Sequence, residues 1–60
     1  MANMNFTEIF HEVVNHERLM RNTKKYTDYE RAKKYLNDYY QLSPDIYQKV
    51  IKAITDYIGV

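Results

Sequence analysis

The chain contains no cysteine, so neither a disulfide nor a thiolate metal site can hold it together. It has one glycine and one proline. That is too few turn residues for a β-sandwich or barrel. The single glycine is at position 59, so no glycine-rich loop exists to cradle a phosphate. The only serine is Ser43. No stretch approaches the ~18 consecutive apolar residues of a membrane-spanning helix. Met1 to Glu8 lacks the basic segment and apolar run of a signal peptide, so a cytoplasmic protein is expected. Neither charge sign dominates: nine Lys and Arg face eight Asp and Glu. With 45% apolar residues the chain is too apolar for disorder and too evenly charged for a polybasic arm.

What is present is a length of 60 residues and seven tyrosines among nine aromatics. One small domain over 1–60 is the expectation, with 1–4 disordered. A chain of this length buries only about 60% of its unfolded surface, so its core is marginal. Asn, Lys, Ile, Tyr and Phe number 25, against eight Ala, Gly, Arg and Pro. The first group has A/T-rich codons, which points to a low-GC genome of a bacterium, its plasmids or its phages.

The fold class expected is all-α, a small bundle of three helices over 5–21, 27–41 and 44–58. Phe6, Ile9, Phe10, Val13 and Met20 recur at helical steps, and Asn5 with Glu8, or Thr7 alone, caps the start. Arg18 and Arg21 suit the negative pole of that helix. Asn22 to Lys25 has no apolar residue and reads as a connection. Thr27 and Glu30 have capping-box spacing before a stripe of Tyr29, Ala32, Leu36, Tyr39 and Tyr40. Glu30 and Lys34 are spaced for an i,i+4 pair. Ser43-Pro44-Asp45 gives the third helix a cap, a proline at its first position and an acid at its positive pole. Its apolar face is Ile46, Tyr47, Val50, Ile51, Ile54, Tyr57 and Ile58, and Gly59 stops it.

His11-Glu12-Val13-Val14-Asn15-His16 resembles a zinc-protease helix only superficially. That chemistry needs histidines four residues apart; here the spacing is five, and the rings diverge by about 140°. A chain this small also has little room for a ligand cavity of ~300 Å³. No catalytic, cofactor-binding or metal-ligating set is therefore expected, and no enzyme activity.

Charge is distributed unevenly. Arg18, Arg21, Lys24, Lys25, Arg31, Lys33 and Lys34 share one stretch with only Asp28 and Glu30, for a local charge of +5. The rest sums to −4. This band suits either docking on an acidic protein surface or contact with nucleic-acid phosphates. A helix-turn-helix made of the second and third helices is disfavoured. Its recognition helix would open with Pro44, Asp45, Ile46 and Tyr47, putting an acid against phosphate.

The tyrosines carry the second signal. Tyr29, Leu36, Tyr39 and Tyr40 lie on the stripe of the second helix, whereas Tyr35 sits about 100° from Leu36. Tyr47 and Ile51 extend the face of the third helix. Three helices in a monomer bury one stripe each more readily than two. Tyr35, Tyr39, Tyr47 and Ile51 are thus the expected partner contacts, with a homodimer first among the partners. The function expected is a non-catalytic helical interaction module, of the kind phages and mobile elements use as inhibitors or regulators of a host or defence protein. The alternative is a small DNA-binding transcriptional regulator working through the band 18–34.

Overall fold

A computed structural model describes residues 5–60, so the expectations for residues 1–4 lie outside the described residues. Three helices follow in order: α1 (Phe6–Glu17), α2 (Tyr26–Tyr39) and α3 (Pro44–Ile58). Each touches the other two, and the described residues contain no strand. No helix among them is long and apolar enough to cross a membrane. The all-α bundle read from the sequence is the fold observed.

The core is formed by Ile9 and Val13 of α1, Leu19, Ala32 and Leu36 of α2, and Val50, Ile54 and Ile58 of α3. The α3 trio at i, i+4 and i+8 is fully buried, and Ile46, Tyr47, Ile51 and Tyr57 pack half-buried on both flanks. Helix α3 therefore turns inward the wide face read from its sequence, not a single stripe. Five of the seven tyrosines (Tyr29, Tyr35, Tyr40, Tyr47 and Tyr57) are half-buried against this core. Only Tyr26 and Tyr39 are exposed, at 62% and 69%.

Helix starts follow local chemistry at two of three sites. The Asn5 side chain accepts from the Glu8 amide at 2.9 Å, and Glu8 Oε1 accepts from the Asn5 amide at 3.1 Å. This reciprocal pair satisfies two amides that helix geometry leaves without partners. Ser43 Oγ accepts from the Ile46 amide at 3.5 Å, with Pro44 at the first helical position. Gly59 ends α3 at φ 89°, in the left-handed region that glycine enters freely.

Three boundaries differ from the sequence reading. Helix α1 stops at Glu17 rather than Arg21, because Arg18 turns left-handed at φ 55°. A continued helix would put Met20 about 20° from Val13 and Leu19 about 120° away. The turn reverses this: Leu19 enters the core at 4% exposure, while Met20 stands 67% exposed. Helix α2 starts at Tyr26 with Lys25 as a cap lacking any side-chain hydrogen bond, so Thr27 is not the cap. Asp28 is drawn inward instead, accepting from the Thr23 hydroxyl at 3.4 Å and from Arg31 Nη1 at 2.8 Å. The Thr23 bond ties the first turn of the helix to the connection. Helix α2 also ends at Tyr39, where Tyr40 turns to an extended conformation.

Candidate interaction surface

The C-terminal half of α1 and the second half of α2 meet through aromatic rings. His16 stacks on Tyr35 with centroids 4.3 Å apart and planes 25° apart. Tyr35 lies 4.9 Å from Tyr39 and 5.9 Å, edge-on, from Tyr40. The Tyr40 hydroxyl reaches Glu12 of α1 at 3.4 Å. Burial first, then the charge of Glu12 and the neighbouring Tyr35, pushes the Tyr40 phenol up to about 12. One side of this cluster is therefore sealed against α1. The other side is Tyr39, which ends the row as an exposed ring.

An open depression of about 260 Å³ adjoins the row, lined by His16, Arg31, Lys34, Tyr35, Asp38 and Tyr39 among others. Its charges are matched. Arg31 lies 3.2 Å from Glu17 Oε1, donates to the Glu17 backbone carbonyl, and holds Asp28. Lys34 lies 2.9 Å from Asp38. Desolvation alone would raise the Glu17 carboxyl. Hydrogen bonds from His16 and Arg31, with their charges, outweigh it and hold Glu17 below its usual range.

Of the four residues expected at a partner contact, Tyr35 and Tyr39 come together here. Tyr47 does not join them. It is one of the tyrosines whose field adds to that of Glu30, the main influence raising the Lys33 ammonium. Lys33 and Tyr35 are two residues apart, so they point about 160° away from one another around α2. Ile51, one turn beyond Tyr47, is half-buried against the core. The expected surface thus divides in two, and only the α1–α2 half has an exposed ring.

The sequence reading did not place His16 in this row. Its position depends on how α1 docks on α2, and no local pattern carries that. The two histidines do go to separate neighbours, as their spacing requires: His11 meets Phe10 edge-on at 5.5 Å, and His16 meets Tyr35.

The basic band also divides. On α2 every cation has a carboxylate: Arg31 has Glu17 and Asp28, Lys33 has Glu30 at 3.6 Å, and Lys34 has Asp38. The expected Glu30–Lys34 pair is replaced by these Glu30–Lys33 and Lys34–Asp38 contacts. Arg18, Arg21, Lys24 and Lys25 are exposed on the connection between α1 and α2. None of them has an ion-pair partner among the described residues.

Comparison of the chain with protein-family models, curated proteins and solved structures finds no match.

Proposed function

We propose that this protein is a non-catalytic interaction module that binds through the α1–α2 aromatic ledge of His16, Tyr35 and Tyr39. Its first partner is a second copy of itself. The observation that supports this reading is Tyr39, 69% exposed yet held 4.9 Å from a ring that is itself stacked. A large ring with a polar tip, ordered before binding, loses little entropy when a partner covers it. Two copies related by a two-fold axis would each set Tyr39 against the other's depression. On this reading the protein acts by covering a surface of another protein, as an inhibitor or regulator. Its composition, rich in residues with A/T-rich codons, supports an origin in a phage or mobile element of a low-GC host.

Sedimentation velocity tests the ledge. A dimer is expected at about tens of micromolar, dissociating on dilution. Because Tyr39 is exposed in the monomer, Tyr39→Ser should give a monomer with undiminished helical circular dichroism. A wild type that stays monomeric throughout, or a Tyr39→Ser variant that stays dimeric, would sink this reading. The DNA-binding alternative keeps four of its seven cations, because the other three are already neutralised on α2.

A further inference from the structure

The connection 18–25 has properties that joining two helices does not require. Its backbone is fixed from three sides. The Asn22 amide donates to the Tyr57 carbonyl at 2.9 Å, and the Lys24 amide donates to the Ile58 carbonyl at 2.8 Å. Thr23 holds Asp28, and Leu19 is buried in the core. Within this frame Arg18 and Lys24 sit at φ 55° and 58°, left-handed conformations that long side chains rarely adopt and glycine adopts freely. Asn22, at φ 59°, is a residue that tolerates the region.

The surface this frame displays is specific in composition. Four exposed cations, Arg18, Arg21, Lys24 and Lys25, share this connection with Met20, which is 67% exposed. The negative poles of α1 and α3 end here and favour cations. They do not account for an exposed methionine. A flexible, polarisable apolar side chain among arginines is protein-interface composition. A phosphate backbone offers such a side chain nothing.

We infer that the connection 18–25 is a preorganised docking element for an acidic protein segment, whose Asp and Glu side chains meet the four cations while an apolar side chain covers Met20. The inference rests on the protein-binding reading but uses a different surface from the Tyr39 ledge.

Fluorescence anisotropy with three probes tests it: a labelled peptide of Asp and Glu around one central Leu, the same peptide with Ser for Leu, and a short labelled DNA duplex. The Leu peptide should bind, with affinity falling as salt rises. The Ser peptide should bind about tenfold more weakly, and Met20→Ser should weaken the Leu peptide by a similar factor. Replacing Arg18, Arg21, Lys24 and Lys25 together by Gln should abolish binding, while Lys49→Gln with Lys52→Gln should leave it unchanged. Arg21→Gln alone should weaken it a few-fold, which carries the charge test if the fourfold variant loses its helical spectrum. Tyr39→Ser should leave peptide affinity intact, so failure of the ledge and failure of this element are read separately. Equal affinity for the Leu and Ser peptides, DNA binding as tight as peptide binding, or no binding of any probe would overturn the inference.

Discussion

Between α2 and α3 the chain turns over residues 40–43, and the turn is specified by its own residues. Tyr40 leaves the helix, Ser43 accepts the Ile46 amide, and Pro44 starts α3. Between α1 and α2 it takes residues 18–25, which open with local bonds from the Arg18 and Leu19 amides to the Val14 carbonyl and then rely on distant partners. The Asn22 and Lys24 amides bond to the end of α3, Thr23 holds Asp28, and Leu19 reaches the core. The first connection therefore depends on α3 having formed, whereas the second carries its own helix-start signal in Ser43 and Pro44 and adds one long-range bond, from the Tyr40 hydroxyl to Glu12 of α1. Local capping chemistry is available to an unfolded chain, while hydrogen bonds over thirty residues are gained only with the fold.

The largest expected effect separates two neighbours on the long connection. Leu19→Ala should cost about 2–5 kcal/mol in urea denaturation. A domain of sixty residues has on the order of 3–9 kcal/mol in total, so this variant should lose a large share of its stability. Met20→Ala should change stability by less than about 0.5 kcal/mol. A larger effect at Met20 than at Leu19 would mean that α1 continues through Met20 after all.

Asp28 comes next. Removing its carboxylate in Asp28→Ala leaves Thr23 and one arm of Arg31 without a partner and should cost about 1.5–3 kcal/mol. Thr27→Ala, at the cap expected from the sequence, should stay within about 0.5 kcal/mol because Thr27 is exposed and makes no capping bond. At the far end of α3, Gly59→Ala puts a Cβ 3.4 Å from Lys24 Cγ and 3.5 Å from Asn22 Oδ1 at φ 89°. A cost of roughly 1–2 kcal/mol is expected, most of it from the backbone. Ser43→Ala, on the locally specified turn, should cost about 0.5–1 kcal/mol, because its capping bond is long. If Ser43→Ala exceeded Gly59→Ala, the short connection would be the more demanding of the two.

These pairs show why parts of the fold were legible and others were not. Asn5, Ser43, Pro44 and Gly59 act on amides and carbonyls within four residues, so the sequence states their roles. Ile9, Val13, Ala32, Leu36, Val50, Ile54 and Ile58 follow helical periodicity into the core. Leu19 and Met20 are adjacent apolar residues at a helix end, and which one turns inward depends on where the chain leaves the helix. The same holds for Thr27 and Asp28, two good capping residues in sequence. In the candidate surface, Tyr35 and Tyr39 were readable from spacing along α2, but His16 was not, because its ring reaches Tyr35 from another helix. The division of the cations was also hidden, since Arg31 finds Glu17 fourteen residues away.

The smallest expected effect is a pH dependence at the junction between the ledge and the long connection. Glu17 is the last residue of α1 and the carboxylate that ties His16 and Arg31 to the helix end. Its folded-state pKa lies below the ordinary value of 4.5. A carboxyl lowered on folding stabilises the native state fully at pH above its unfolded value. That contribution fades as pH falls toward the folded value, because the unfolded chain takes up the proton first. Arg31 keeps its charge throughout, so the change belongs to the carboxylate. Denaturation of wild type and Glu17→Gln in parallel, from about pH 6 down to about pH 3, isolates it from the other acids. The wild type should be the more stable at the upper end, and the two should converge as the solution becomes acid. A constant difference over that range would mean that Arg31 is held by the Glu17 backbone carbonyl and Asp28 alone, and that the ledge is attached to the connection by uncharged contacts.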